Sequence, residues 1–202
     1  MADHVVKDIA ELERIYGVPA EASQIKVADH LTPLYAKWIM ASRLCMVSTV
    51  GTDGTDGSPR GDDGPVVQIL DPKTLLMPDW RGNNRMDTLR NIVADGRLSL
   101  MFMVPGSNNV MRVNGTGVVS LDPDLINRFD DHGKLPRSVV VITVGEVYSQ
   151  CARALLRSRV WEAGDESEGL PTIGDLLKEQ KATFDGAAYD AGWLARAKET
   201  LW

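Results

Sequence analysis

The chain has 202 residues, 44% apolar and 25% charged, which is enough for one globular domain with a substantial core. Its net charge of −6 and pI near 5.1 argue against a basic nucleic-acid-binding face, but not against a small anion held by a few local arginines. No run approaches the roughly 20 apolar residues of a membrane span.

The acidic N-terminus "MADHVVKDIAELERIYG" does not fit a signal peptide. Cys45 and Cys151 are too few for a disulfide framework, so a reducing cytoplasm is expected. His4, His30 and His132 lie far apart with no partner at metal-ligand spacing, so no metal is expected.

The first 43 residues read as helices. Val5, Ile9, Leu12 and Ile15 recur at helical spacing, and "TPLYAKWIMAS" offers Thr32 as a cap and Pro33 at the first helical position. From Leu44 the pattern turns to strands. "LCMVSTV" (44–50) closes on Asp53-Gly54, a hairpin signal. "VVQIL" (66–70) and "TLLM" (74–77) flank a turn at Asp71-Pro72-Lys73.

A helix is expected over "GNNRMDTLRNIVADG" (82–96), capped by Asn83 or Asn84 and ended by Gly96. "RLSLMFMV" (97–104), "VMRVNGTGVVS" (110–120) and "SVVVITVGEVY" (138–148) complete six strands, and Asp122-Pro123 opens a short helix between the last two. Residues 149–161 and 172–202 read as helices. Six strands joined mostly by hairpin-length connections predict a mainly β (α+β) fold, a closed antiparallel barrel flanked by N- and C-terminal helices. One domain is expected over 1–202, with helices at 1–43, the barrel at 44–148 and a helical segment at 149–202.

Four stretches could carry chemistry. The connection "GTDGSPRGDDGP" (54–65) sets Arg60 among glycines and acids. It is either a mobile acidic loop or a place where backbone amides and one fixed cation approach a ligand. "MPDWRGNNR" (77–85) runs from a strand into a helix N-terminus, with Arg81 and Arg85 where an anion would lie. A plain capped helix with two solvated arginines fits those residues equally. Arg112 interrupts an apolar strand, facing either solvent or a pocket. Arg153 and Arg157 share a helix face beside Leu156 and Trp161, as a ligand site or a solvated basic face.

Taken in order, "SPRGD" (58–62), "PDWRGNNR" (78–85), "LMFMVPG" (100–106), "MRVNGTG" (111–117) and "CARALLRSRVW" (151–161) resemble the pyridoxamine 5′-phosphate oxidase-related family of FMN-binding split barrels. The nearest pattern is a bacterial subfamily with a Ser-Pro-Arg-Gly-Asp loop. The resemblance implies a homodimer with FMN at the subunit interface. It implies that Ser58, Arg60, Gly61 and Asp62 line the ring and ribityl chain, with Asp79 beside the ring and Arg81 among the cofactor-binding residues.

By the same resemblance, Asn83, Asn84 and Arg85 lie nearest the phosphate, Arg112 near the cofactor, and Gln150, Arg153 and Arg157 close the pocket. Pro65 stands where the subfamily has an aromatic, and Gln150 and Arg153 where it has His and Lys. No catalytic residue is assigned. The expected function is an FMN-dependent oxidoreductase acting on a small molecule, with NADH or NADPH as electron source. A non-catalytic flavin carrier or sensor is the alternative, and a barrel that has lost its cofactor and become an interaction module is a third.

Overall fold

The protein is described by a computed structural model covering residues 4–199. Three helices open it: α1 (Ile9–Tyr16), α2 (Glu21–Ile25) and α3 (Pro33–Ile39). The Thr32 side chain accepts the Tyr35 amide at the start of α3, and Pro33 occupies the first turn, where its missing N–H costs nothing.

Seven strands follow: β1 (Leu44–Gly51), β2 (Gly54–Gly61), β3 (Gln68–Asp71), β4 (Thr74–Asp79), β5 (Arg97–Met103), β6 (Val110–Ser120) and β7 (Ser138–Gln150). Helix α4 (Asp87–Ala94) lies between β4 and β5, and the short α5 (Pro123–Ile126) between β6 and β7. Helices α6 (Arg153–Ser158), α7 (Ile173–Gln180) and α8 (Gly186–Glu199) end the chain. The strands form one antiparallel sheet in the order β2-β1-β5-β6-β7-β4-β3.

Three expectations are corrected here. The sheet has seven strands, because "GTDGSPRG", read as a connection, is β2 itself and pairs along its whole length with β1. Glycines and a proline hide it in the sequence. They are tolerated because β2 is an edge strand, where one side of the backbone needs no ladder partner. The barrel is also not closed: β2 and β3 remain the two edges, with no ladder joining them. Finally, the helix expected from residue 82 starts at Asp87 without a side-chain cap. Asn84 instead takes a left-handed φ of 62°, so residues 82–86 form a loop.

Alternation along β1, β5, β6 and β7 sends one face into the core. Cys45, Val47, Leu100, Phe102, Val113 and Val147 are almost fully buried there, each apolar side chain stabilising the fold by about 1.5–3 kcal/mol. Gly96 ends α4 at φ 84°, the left-handed position expected of it. Gly51 lets α4 approach β1, since a Cβ there would lie 2.1 Å from Asn91 Oδ1. The N-terminal segment lies along the upper half of β7, where Ala28 and Val147 exchange backbone hydrogen bonds of 2.9 and 2.8 Å. At the other end, α7 and α8 pack on each other at a Gly174–Gly186 contact too close for any side chain. Among the described residues no helix is long and apolar enough to cross a membrane.

Candidate functional site

The open side of the curled sheet brings the ends of β2 and β4 together. On β2, Arg60 is paired with the inward-facing Cys45 and shares its face, so its guanidinium points toward the gap. On β4, Asp79 follows the buried run Leu75–Pro78. Arg60 Nη2 and Asp79 Oδ1 lie 3.7 Å apart, with side chains 30% and 19% exposed. Next to them, Trp80 Nε1 donates to Asp62 Oδ2 at 3.1 Å. These side-chain contacts bridge the gap that no backbone ladder closes.

Beyond Trp80 the loop 82–85 turns toward α4. Asn83 Oδ1 accepts the Arg85 amide at 2.9 Å, an Asx turn that shapes the loop locally. Asn84 Oδ1 accepts from Arg137 Nη1 at 2.6 Å, which ties the left-handed residue to the start of β7. A pocket of about 280 Å³ lies here, lined among others by Arg60, Asp79, Asn84, Arg85 and Arg137. A second, of about 240 Å³, lies beside it against Pro59, Asp62, Trp80 and Arg81, and the two share Arg60, Trp80 and Gly82.

The local electrostatics favour an anion. Arg60, Arg85 and Arg137 converge on the first pocket, against Asp79 as its one lining carboxylate. Burial holds the Asp79 carboxyl above the usual carboxylate range, and Arg60 and then Arg137 pull it back only in part. Burial pushes the Cys45 thiol up to about 12, so it is protonated and inert at neutral pH. Among the described residues no group of His, Cys, Asp and Glu is disposed to hold a metal ion.

Of the residues singled out from the sequence, Arg60, Asp79, Asn83, Asn84 and Arg85 line the first pocket, and Gly61, Asp62 and Arg81 the second. Ser58 shares the inward face of β2 opposite Val47 but lines neither. Arg112 and Gln150 are brought together elsewhere. They lie on the outer face of the sheet, where Arg112 Nη1 reaches Gln150 Oε1 at 3.4 Å and stacks 5.3 Å from the Tyr148 ring. Arg112 Nε is buried there without a partner, beside half-buried Met101 and Met46. Arg153 and Arg157 sit exposed on α6 and line neither pocket.

Sequence reasoning missed Trp80, Arg137, Ser138 and Thr88. Trp80 stood inside a quoted motif, but only the fold shows that it spans the gap. Arg137 and Ser138 precede an apolar strand 50 residues downstream, and their place depends on the pairing of Asp79 with Ser138. Thr88, buried on α4, donates to Asp56 Oδ2 at 2.5 Å and ties that helix to β2.

A sequence model of the pyridoxamine 5′-phosphate oxidase family matches residues 31–151, more than half of the chain. No curated protein matches it. Among solved structures, a single-residue variant of HupZ from Group A Streptococcus is 19% identical, covers 59% of this chain and 99% of its own, and superposes with a TM-score of 0.50. A pyridoxamine 5′-phosphate oxidase candidate from Lactobacillus delbrueckii is 22% identical over 60% of this chain and 95% of its own, at a TM-score of 0.47. An FMN-binding protein from Syntrophomonas wolfei is 12% identical over 70% and 93%, at 0.43. At 19% identity the likeness to HupZ speaks for the fold alone. With the family match spanning strands β1–β7 and the polar gap between β2 and β4, the chain belongs to the pyridoxamine 5′-phosphate oxidase family.

Proposed function

We propose that this protein binds FMN as a homodimer and is an oxidoreductase passing electrons from NADH or NADPH to a small molecule. The observation that carries the reading is the junction of β4 and α4. There three arginines converge on one pocket beside an inward Arg60–Asp79 pair. The donor set suits a phosphate, because guanidiniums and neutral N–H or O–H donors outnumber carboxylates around it.

Bound FMN would supply the electron transfer itself. The loop 82–85 and Arg137 would hold its phosphate. Arg60, kept in place by Asp79, would set a cation beside the ring. As an edge strand, β2 has alternate amides pointing away from β1, free to donate to the ring edge. Arg112 and Gln150 face the other side of the sheet and would reach the flavin only from a second copy. A partner covering the Met46–Met101 face would also meet the unpaired Arg112 Nε.

A non-catalytic carrier or sensor is the second reading. One observation favours it: the lining of the two pockets holds no His, Cys, Lys or Tyr to relay a proton. Purified protein heated to release its cofactor, and chromatographed beside FMN and FAD, tests the ligand. FAD alone, or no flavin bound at micromolar concentration, refutes it. Bleaching of the bound flavin by NADH or NADPH under argon supports the oxidoreductase, and an unbleached flavoprotein is the carrier.

A further inference from the structure

The lining of the first pocket contains a single group that can change its charge at ordinary pH. Arg60, Arg85 and Arg137 stay cationic, and apart from Asp79 the rest of the lining is amide, hydroxyl, indole or apolar.

Asp79 stands where the ladder between β4 and β7 ends, opposite Ser138. On one side of it lies the pocket. On the other lie Val47, Ile92, Leu98 and Ile142, apolar side chains around a small cavity that Asp79 also lines. Among the described residues no hydrogen bond reaches its carboxylate, and the Arg60 guanidinium stays 3.7 Å away. The charged groups facing it are Arg60 from β2, Arg85 from the loop 82–85 and Arg137 from the start of β7, while α4 brings only Thr88 and Leu89. Two other carboxylates near the gap are engaged, Asp56 by Thr88 and Asp62 by Trp80. Burial lifts the Asp79 carboxyl, and Arg60 and then Arg137 lower it only in part, so it changes charge above the ordinary 3.8.

We infer that Asp79 is the proton donor of this site, taking up a proton when electrons arrive and passing it to the small molecule that is reduced. The inference deepens the oxidoreductase reading above and rests on it. Reduction of an organic acceptor by two electrons adds one hydride and one proton. The hydride comes from NADH or NADPH by way of the flavin. The proton comes from Asp79: its O–H bond breaks, the proton bonds to the acceptor, and Arg60 and Arg137 face the carboxylate that is left. Solvent returns the proton through the pocket, so one reduced nicotinamide and one proton are consumed per acceptor. Uptake is driven by charge, since negative charge arriving beside a half-buried carboxyl raises its proton affinity.

The test is the midpoint potential of the bound flavin as a function of pH, by dye-equilibrated titration of wild type, Asp79→Asn and Asp79→Glu. One additional proton per two electrons steepens the fall of potential by about 30 mV per pH unit, the value of a tenfold change in equilibrium for two electrons. Wild type should show that steeper fall over a window beginning above the ordinary carboxylate value. Asp79→Asn should lose it, and Asp79→Glu should restore it. In reduced-minus-oxidised infrared spectra a protonated-carboxyl band should appear in wild type and be missing from Asp79→Asn.

Parallel lines for wild type and Asp79→Asn, or a carboxyl band that survives the substitution, would overturn the inference and leave flavin binding intact. Wild type that binds no flavin would take down the oxidoreductase reading and this inference with it.

Discussion

Replacing Gly51 with Ala tests how the structure positions the anion loop. Gly51 has a backbone conformation open to any residue, so Ala is not strained there on its own account. A Cβ, however, would lie 2.1 Å from Asn91 Oδ1 and 2.8 Å from Asn91 Cγ, with the Asn91 Cα at 3.5 Å, ordinary contact. The clash is therefore with a side chain that can rotate, not with the backbone of α4.

Rotation breaks the 3.1 Å bond from Asn91 Nδ2 to Thr49 Oγ1, and Thr49 is only 4% exposed. Leaving that hydroxyl unpaired costs about 1–3 kcal/mol. Removing glycine freedom from the unfolded chain returns about 0.4–1 kcal/mol. The net expected loss is about 1–2 kcal/mol. In an Asn91→Ala background the obstacle and the bond are both gone, so Gly51→Ala should become neutral or stabilising by about half a kcal/mol. Urea unfolding of the four proteins of this cycle measures it. If Gly51→Ala costs the same with and without Asn91, the close approach of α4 to β1 is not what the glycine serves.

Three further outcomes are expected. Arg60→Gln should keep FMN bound but lower its midpoint potential by tens of millivolts, since about 30 mV corresponds to 1.4 kcal/mol for two electrons; an unchanged potential in a dye-equilibrated titration would place Arg60 away from the ring. Asp79→Asn should raise the melting temperature at pH 7. Burial holds the Asp79 carboxyl above its unfolded value, so its ionised form opposes folding, and the gain should shrink as pH falls through the folded pKa toward the ordinary 3.8; a gain that grows on acidification contradicts this. Met101→Asp on the outer face should convert the proposed dimer to monomer in light-scattering chromatography and release flavin, and a flavin-loaded monomer would sink the shared site.

The helices and most strands were legible because each carries a local signal. Thr32-Pro33 marks a helix start, Gly96 a helix end, and the alternation in "LCMVSTV" a half-buried strand. What could not be read were features fixed by long-range pairing. β2 carries no apolar alternation; its inward residues include Asp56, Ser58 and Arg60, all polar, with Asp56 bonded to Thr88 of α4 and Arg60 facing the gap. Asn83 and Asn84 look like caps, yet they shape a loop, because Arg137 holds Asn84 from a strand far along the chain. The gathering of Arg60, Asp79 and Arg85 was legible only through the family resemblance. That Arg112 and Gln150 lie on the opposite face follows from the sheet order, which no local pattern encodes.

The composition that hides β2 has a consequence for how the molecule behaves at high concentration. An edge strand offers a row of free backbone donors and acceptors that a neighbouring chain can extend into a larger sheet. Here that edge is interrupted by Pro59, which has no N–H to offer, and is flanked by Asp53, Asp62 and Asp63, whose charges repel a second copy of the same edge. Replacing Pro59 with Thr or Val would improve the strand by every local criterion and should make the protein prone to ordered self-association. The stretch that looks least like a strand is thus suited to sit at the end of a sheet without recruiting another.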